Sequence, residues 1–258
     1  MPLASGLYYF AHQSGGYEKP PVILLHGAGA DCFLWPPEIR RLPELRVFAL
    51  DLPGHGKSTG PGRQSIEEYA RCVISFLDTI SLWKAVFVGH SMGGAIALSL
   101  ALEFPERTAG LGLIATSARF SLPPSLLEDA STPATFSSAV EQLHTLSCGP
   151  HTPADVAKQT LKRLQAIRQT LLYADLQACS RFDVLSRLDS IQVPSLVICG
   201  TEDKLTPLRQ ASFLAQGIPN AALQTIDGAG HLVILEQPQR VARLLSIFLK
   251  TIPYQPGR

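Results

Sequence analysis

The chain has 258 residues, of which 46% are hydrophobic, and its 22 basic and 21 acidic side chains leave a formal net charge of +1. That length accommodates one domain with an insertion and a core large enough for independent stability. The charge balance offers no electrostatic footprint for a phosphate backbone or an anionic bilayer, so neither nucleic acid nor a membrane surface is an expected partner.

In chain order, short apolar runs alternate with longer helical patterns. The expected strands are Val22–His26, Arg46–Leu50, Ala85–Gly89, Gly110–Ala115, Ser195–Gly200 and Ala222–Asp227. Most are near-continuous Val, Ile, Leu, Phe and Ala without polar alternation, the pattern of strands covered on both faces in a parallel sheet. Ser65-Ile66-Glu67-Glu68 opens a helix, with the serine capping a free amide and Glu68 reaching back; Ile66, Tyr69, Ala70, Val73, Leu77 and Ile80 follow on one stripe. Gly93 to Leu102 is a small-and-apolar run, shorter than the roughly 20 residues of a membrane span and read as a buried helix. From Ser117 to Leu188 no strand is expected. Thr152-Pro153-Ala154-Asp155 starts a helix there, and Val156, Thr160, Leu161, Leu164, Ile167, Leu171 and Leu172 continue its apolar face. Thr206-Pro207 starts another, with Thr as cap and Pro as first helical residue. Pro238 to Lys250 closes the chain with Val241, Leu244, Leu245 and Phe248 inward. Strands alternating with helices predict an α/β fold, a mostly parallel central sheet flanked by helices. Residues 1–116 and 189–258 are expected to form this core, and residues 117–188 an inserted helical cap.

The stretch from Met1 to Pro20 holds no basic segment followed by an apolar one, so no secretory signal is expected. Cys32, Cys72, Cys148, Cys179 and Cys199 are odd in number, widely spread and without a CxxC pair. They read as free thiols in a reducing compartment, which points to the cytoplasm.

Chemistry concentrates in Gly89-His90-Ser91-Met92-Gly93, a GxSxG pattern lying between an apolar strand and a helix. Strand, tight turn and helix is the setting that pushes a serine hydroxyl out above the strand end. Glycines are needed on either side because other side chains would collide with neighbouring backbone. A serine needs a base. Of the seven histidines, only His231 follows the last strand, in the glycine-rich Asp227-Gly228-Ala229-Gly230-His231. His90 is expected to point away from the nucleophile, His12 and His55 to lie on the surface or in loops, and His26 to brace its own loop. The imidazole in turn needs a carboxylate to hold its tautomer, and Glu202 and Asp203 both stand just past the strand Ser195–Gly200. The backbone N–H groups of Met92 and of Ala28, in His26-Gly27-Ala28-Gly29, are placed to bind an oxyanion. Gly27, Leu232, Leu126 and Phe136 are the expected substrate contacts.

These segments, with Trp35, Asp51-Leu52-Pro53-Gly54-His55-Gly56-Lys57-Ser58, Pro194 through Asp203, and Gly230-His231 with Glu236-Gln237-Pro238, make the chain resemble the α/β-hydrolase superfamily. The likeness is to its small esterase, lactonase and cofactor-free haloperoxidase-like branch. It spans Pro21 to about Leu249 apart from the cap. The resemblance implies Asp203, not Glu202, as the acid, giving the order Ser91, Asp203, His231. The segment ahead of Val22 is short for a full set of leading strands, so the first sheet edge is expected to be trimmed.

Gly56-Lys57-Ser58 looks like the end of a phosphate-binding loop, but Asp51 stands where that motif needs glycine. No zinc spacing and no GxGxxG after a strand occurs, so no metal and no cofactor is expected. The expected activity is hydrolysis of a small, largely apolar carboxylic ester through an acyl-enzyme on Ser91. A lactonase or a C–C bond hydrolase with the same triad is the alternative, and a ligand receptor with residual hydrolysis is a further one. Relatives that act on haloalkanes or epoxides carry aspartate where Ser91 stands. The expected partner is a small ester or lactone, and the expected assembly a monomer or homodimer.

Overall fold

The computed structural model describes residues 3–16 and 18–253; residues 1, 2, 17 and 254–258 of the segments assigned above to the core lie outside them. The strands are β1 (Leu3–Ala4), β2 (Leu7–Gln13), β3 (Val22–Leu25), β4 (Arg46–Leu50), β5 (Ala85–His90), β6 (Thr108–Ile114), β7 (Ser195–Gly200) and β8 (Ala221–Ile226). They form one sheet in the order β1-β2-β4-β3-β5-β6-β7-β8. Every pairing from β4 to β8 is parallel, while β1–β2 and β2–β4 are antiparallel. The helices are α1 (Pro37–Arg40), α2 (Ile66–Thr79), α3 (Met92–Glu103), α4 (Pro124–Ala130), α5 (Phe136–Ser147), α6 (Ala154–Gln165), α7 (Gln169–Arg181), α8 (Leu208–Gly217), α9 (Val233–Glu236) and α10 (Pro238–Thr251).

The leading edge corrects the expectation of a trimmed sheet. β1 and β2 are joined by Ser5-Gly6, both at positive φ (50° and 78°). Two central residues with positive φ match the twist of a tight hairpin. The strand Leu7–Gln13 lies near the sheet edge, half-exposed, and carries none of the continuous apolar run that marks a covered strand.

The central strands are covered on both faces. Successive side chains alternate between faces, so Ile23, Leu25, Ala85 and Phe87 enter one core cluster with α2, α3 and α8. Val22, Leu24, Val86 and Val88 enter the other, with α1 and α10. Each fully buried Val, Leu, Ile or Phe adds on the order of 1.5–3 kcal/mol, which makes the sheet a rigid platform for the loops at its carboxyl edge. In α2, Ser65 caps as expected, accepting from the Glu68 N–H at 3.2 Å, but Glu68 reaches back to the N–H of Gln64 rather than to that of Ser65.

Between β6 and β7 lie α4 to α7 and no strand of the sheet. The apolar face read as one helix from Val156 to Leu172 is divided: α6 stops at Gln165 and α7 starts at Gln169. Leu126, Ala139, Val140, Leu164, Leu172 and Leu176 pack together there as a third cluster. Among the described residues no helix is long and apolar enough to cross a membrane.

Candidate active site

Ser91 sits at φ 53°, ψ −120°, as the residue before α3. An L-residue tolerates such a backbone only where the surroundings over-determine it. Here they do: the Ser91 N–H donates to the carbonyl of Ile114 at 3.0 Å, and the Ser91 carbonyl accepts from Gly94 N–H at 2.8 Å and from the Thr116 hydroxyl at 2.7 Å. The flanking glycines are obligatory for the reason expected. A Cβ on Gly89 would overlap the Gly93 carbonyl, and one on Gly93 would overlap the carbonyls of Leu25 and His26. Gly93→Ala is therefore expected to lower unfolding stability by about 1–3 kcal/mol through overpacking of backbone against backbone, measured by urea denaturation.

His231 stands in the loop between β8 and α9, buried, with Nδ1 2.9 Å from Asp203 Oδ2 and 3.1 Å from Oδ1. Two neighbours steady the loop. His90 Nε2–H donates to the His231 carbonyl at 2.9 Å, and Gly230 N–H donates to Glu236. Asp203 follows β7 and is itself buried. Its Oδ1 accepts from the N–H groups of Leu205 (2.9 Å) and Thr206 (2.8 Å), and its Oδ2 from the Thr206 hydroxyl (2.7 Å). Burial alone would raise the Asp203 pKa. The charge and hydrogen bond of His231, with the two bonds from Thr206, outweigh it and hold the carboxyl below its usual range. An ionised carboxylate only accepts, so it holds hydrogen on His231 Nδ1 and leaves Nε2 as the basic nitrogen. Glu202 is exposed. Ser195, at the start of β7, turns its hydroxyl to the carbonyl of Val193 and lies at the opposite end of the sheet.

Met92 opens α3, so its N–H is among those a helix start leaves without an intrahelical acceptor. Ala28 lies in the turn after β3. His26 braces that turn: its Nδ1–H donates to the Gly27 carbonyl at 2.8 Å, and its Nε2 accepts from Leu52 N–H at 3.0 Å. A Cβ on Gly27 would stand 3.2 Å from both the Cβ of Ser91 and the Nδ1 of His90, so this turn passes directly beside the elbow.

Ser91, His231, Gly27, Ala28 and Leu232 line one cavity of about 410 Å³, within the size range of small-molecule sites. Phe120, Leu122, Leu143, Leu164 and Ile167 give it apolar walls. Leu126 and Phe136 do not reach it. Leu126 is fully buried in the cluster formed by α4 to α7, and Phe136 packs against that cluster. Apolar periodicity placed both in the cap but could not say which face the cavity would take.

The other histidines take these places. His55 lies in a loop, one of the two settings expected for it, but it is buried and ion-paired with Asp175 at 2.7 Å. His12 is half-exposed in β2, near the sheet edge. His90 lines the cavity, and burial, then the nearby His231, push its pKa down to about 3, so it is neutral. Thr206 is not a helix cap: Pro207 precedes α8, and the Thr206 hydroxyl serves Asp203. The helix expected after Thr152 does begin there, at Ala154, and the Thr152 hydroxyl also donates to Glu236 at 2.5 Å, tying the α5–α6 connection to the His231 loop. No local pattern announces these partners, because each is fixed by contact between segments distant in the chain.

Residues 20–238 match the model of the alpha/beta hydrolase fold family. A solved thermophilic esterase superposes with a TM-score of 0.80 at 33% identity, covering 95% of this chain and 98% of that one. The chain is 28% identical over 250 residues to 3-oxoadipate enol-lactonase 1 of Acinetobacter baylyi, covering 93% of this chain and 92% of that protein. It is 33% identical over 249 residues to the dihydrolipoyllysine-residue acetyltransferase component of the acetoin cleaving system of Pseudomonas putida. That alignment takes in 92% of this chain but only 65% of the relative's length. With an eight-stranded, mostly parallel sheet, a strained serine turn after β5 and a family match over most of its length, the chain belongs to the α/β-hydrolase family.

Proposed function

We propose that this α/β hydrolase cleaves a carboxylic ester of a small, largely apolar substrate through an acyl-enzyme on Ser91. The observation that carries the reading is the buried Asp203–His231 pair opening onto the same cavity as the strained Ser91. His231 Nε2 takes the hydroxyl proton as Ser91 Oγ attacks the carbonyl. The N–H groups of Ala28 and Met92 bind the oxyanion. The alkoxide leaves with the proton from His231, and water deprotonated by His231 releases the acid. Helices α4 to α7, within residues 117–188, act as the cap that supplies the apolar wall. Lactone hydrolysis is the second reading, favoured by the likeness to an enol-lactonase. The five unpaired cysteines fit a reducing, cytoplasmic setting.

A panel of p-nitrophenyl esters of increasing acyl length and of unsubstituted lactones tests substrate class. Labelling with a fluorophosphonate, whose fluoride leaves as the serine oxygen bonds phosphorus, tests the nucleophile. Turnover of short esters or lactones, and a single label on the peptide carrying Ser91, are the expected results. A label on another residue, or no cleavage of any panel member, overturns the reading.

A further inference from the structure

Asp175, in α7, is fully buried, and three segments distant in the chain converge on it. Its Oδ1 accepts from the Tyr69 hydroxyl at 2.6 Å. Its Oδ2 lies 2.7 Å from His55 Nε2 and accepts from the Gly29 N–H at 2.8 Å. The other ring nitrogen of His55 lies 3.0 Å from the Pro53 carbonyl. A carbonyl and an ionised carboxylate can only accept. With Asp175 ionised, both nitrogens of His55 carry hydrogen, and the raised pKa of His55 favours this imidazolium–carboxylate form.

The turn held by this pair is the one that carries Ala28. Its first peptide unit joins Gly27 C=O to Ala28 N–H, which point in opposite directions because the peptide is planar and trans. The Gly27 carbonyl is fixed by His26 Nδ1–H at 2.8 Å and Ala30 N–H at 3.2 Å. The next unit ends in Gly29 N–H, fixed by Asp175. Gly29 is at φ 65°, a conformation that favours glycine, at the third position of the turn closed by the Ala30 N–H to Gly27 carbonyl bond, and Asp175 anchors that turn from outside.

The geometry points to Asp175 and His55 as positioning residues: the protonated His55 holds Asp175, and Asp175 holds the turn so that the Ala28 N–H is aimed at the reacting carbonyl oxygen. The inference rests on the reading of Ala28 N–H as an oxyanion donor. It makes the cap part of the catalytic geometry, since without α7 the turn loses its outer anchor, and it makes that geometry dependent on pH.

Around His55 stand Asp175 from α7, Asp51 from the end of β4, His26 from the end of β3 and Tyr69 from α2; Cys179 lies one helical turn after Asp175. Arg168 binds the carbonyl of Gly54, next to His55. Burial opposes the charge on His55, but the charge and hydrogen bond of Asp175 outweigh it and raise its pKa. Burial and the charged His55 lower that of His26, which stays neutral and accepts from Leu52. With the folded pKa of His55 above an unfolded value of about 6.5, the pair's contribution is complete below that pH and is lost as pH rises through the folded value. A neutral imidazole has one N–H and cannot serve both Pro53 and Asp175. The tie to Gly29 then loosens, and kcat acquires an alkaline limb.

In the full chain, Asp175→Asn is expected to lower kcat on a p-nitrophenyl ester about tenfold or more, with KM within about threefold, because oxyanion donors act on the transition state. His55→Gln keeps a donor that does not titrate, so the alkaline limb disappears. A kcat within about twofold of wild type in Asp175→Asn, or an unchanged alkaline limb in His55→Gln, overturns the inference. Should either variant fail to fold, wild type alone decides. Its inhibition constant for a trifluoromethyl ketone, whose adduct puts an oxyanion on the two N–H groups, weakens through the alkaline limb; a constant value there overturns the inference. Ser91→Ala separates the two levels. Retained activity in that variant sinks the reading of the site itself. An inert Ser91→Ala beside an unimpaired Asp175→Asn sinks only the positioning role.

Discussion

Ser91→Ala is expected to lower kcat toward a short p-nitrophenyl ester by about 10⁵–10⁶-fold, the loss that follows when a covalent nucleophile is removed and only binding and oxyanion stabilisation remain. The fold is expected to survive. The bonds that hold this residue are made by its backbone, to Ile114, Gly94 and Thr116, and alanine keeps all of them in the same strained conformation. A denaturation midpoint equivalent to within about 0.5 kcal/mol of wild type, as for a substitution that removes no packing, would accompany the lost turnover. Activity near wild type in this variant would rule out the acyl-enzyme.

Asp203→Asn is the second large effect, a fall in kcat of about 10⁴-fold from presenting the wrong imidazole tautomer. The surroundings dictate which way the amide must face. Oδ1 accepts from two backbone N–H groups, those of Leu205 and Thr206, so the amide oxygen has to stay there. The NH₂ then takes the place of Oδ2, 2.9 Å from His231 Nδ1. As a donor it forces the hydrogen onto Nε2, where the base is needed. Glu202→Gln changes an exposed side chain and is expected to leave kcat within about twofold. Steady-state kinetics on the two variants checks both, and the reverse pattern would reassign the acid to Glu202.

Local chemistry made part of this site legible. The glycines of Gly89-His90-Ser91-Met92-Gly93 are required by contacts with segments that any strand–turn–helix of this kind brings close, so Ser91 could be read from spacing alone. Position after the last strand singled out His231. Asp203 needed the family resemblance to separate it from Glu202, and burial now separates them physically, one carboxylate inside and the other in solvent. The partners of Asp203 and His231 were not legible. Thr206 followed by proline looks like a helix start whether or not its hydroxyl faces a carboxylate, and His90 beside a nucleophile says nothing about a carbonyl 141 positions further on.

Six strands, the covered character of the five from β3 to β7 and the layered α/β architecture were written in the sequence itself, because burial on both faces demands continuous apolar runs and helices demand their own period. So was the strained serine turn, since backbone crowding admits only glycine at its flanks. Tertiary structure alone decided the edge hairpin, whose half-exposed strand carries no such demand. It also decided which apolar residues of α4 to α7 wall the cavity, with Leu143 and Leu164 lining it and Leu126 withdrawn into the cluster between those helices. And it alone brought His55, Tyr69 and Gly29 onto Asp175. A hydrogen bond between residues 120 apart in the chain leaves no periodic trace, because it depends on where two helices and two loops come to rest and not on what either segment needs in order to form.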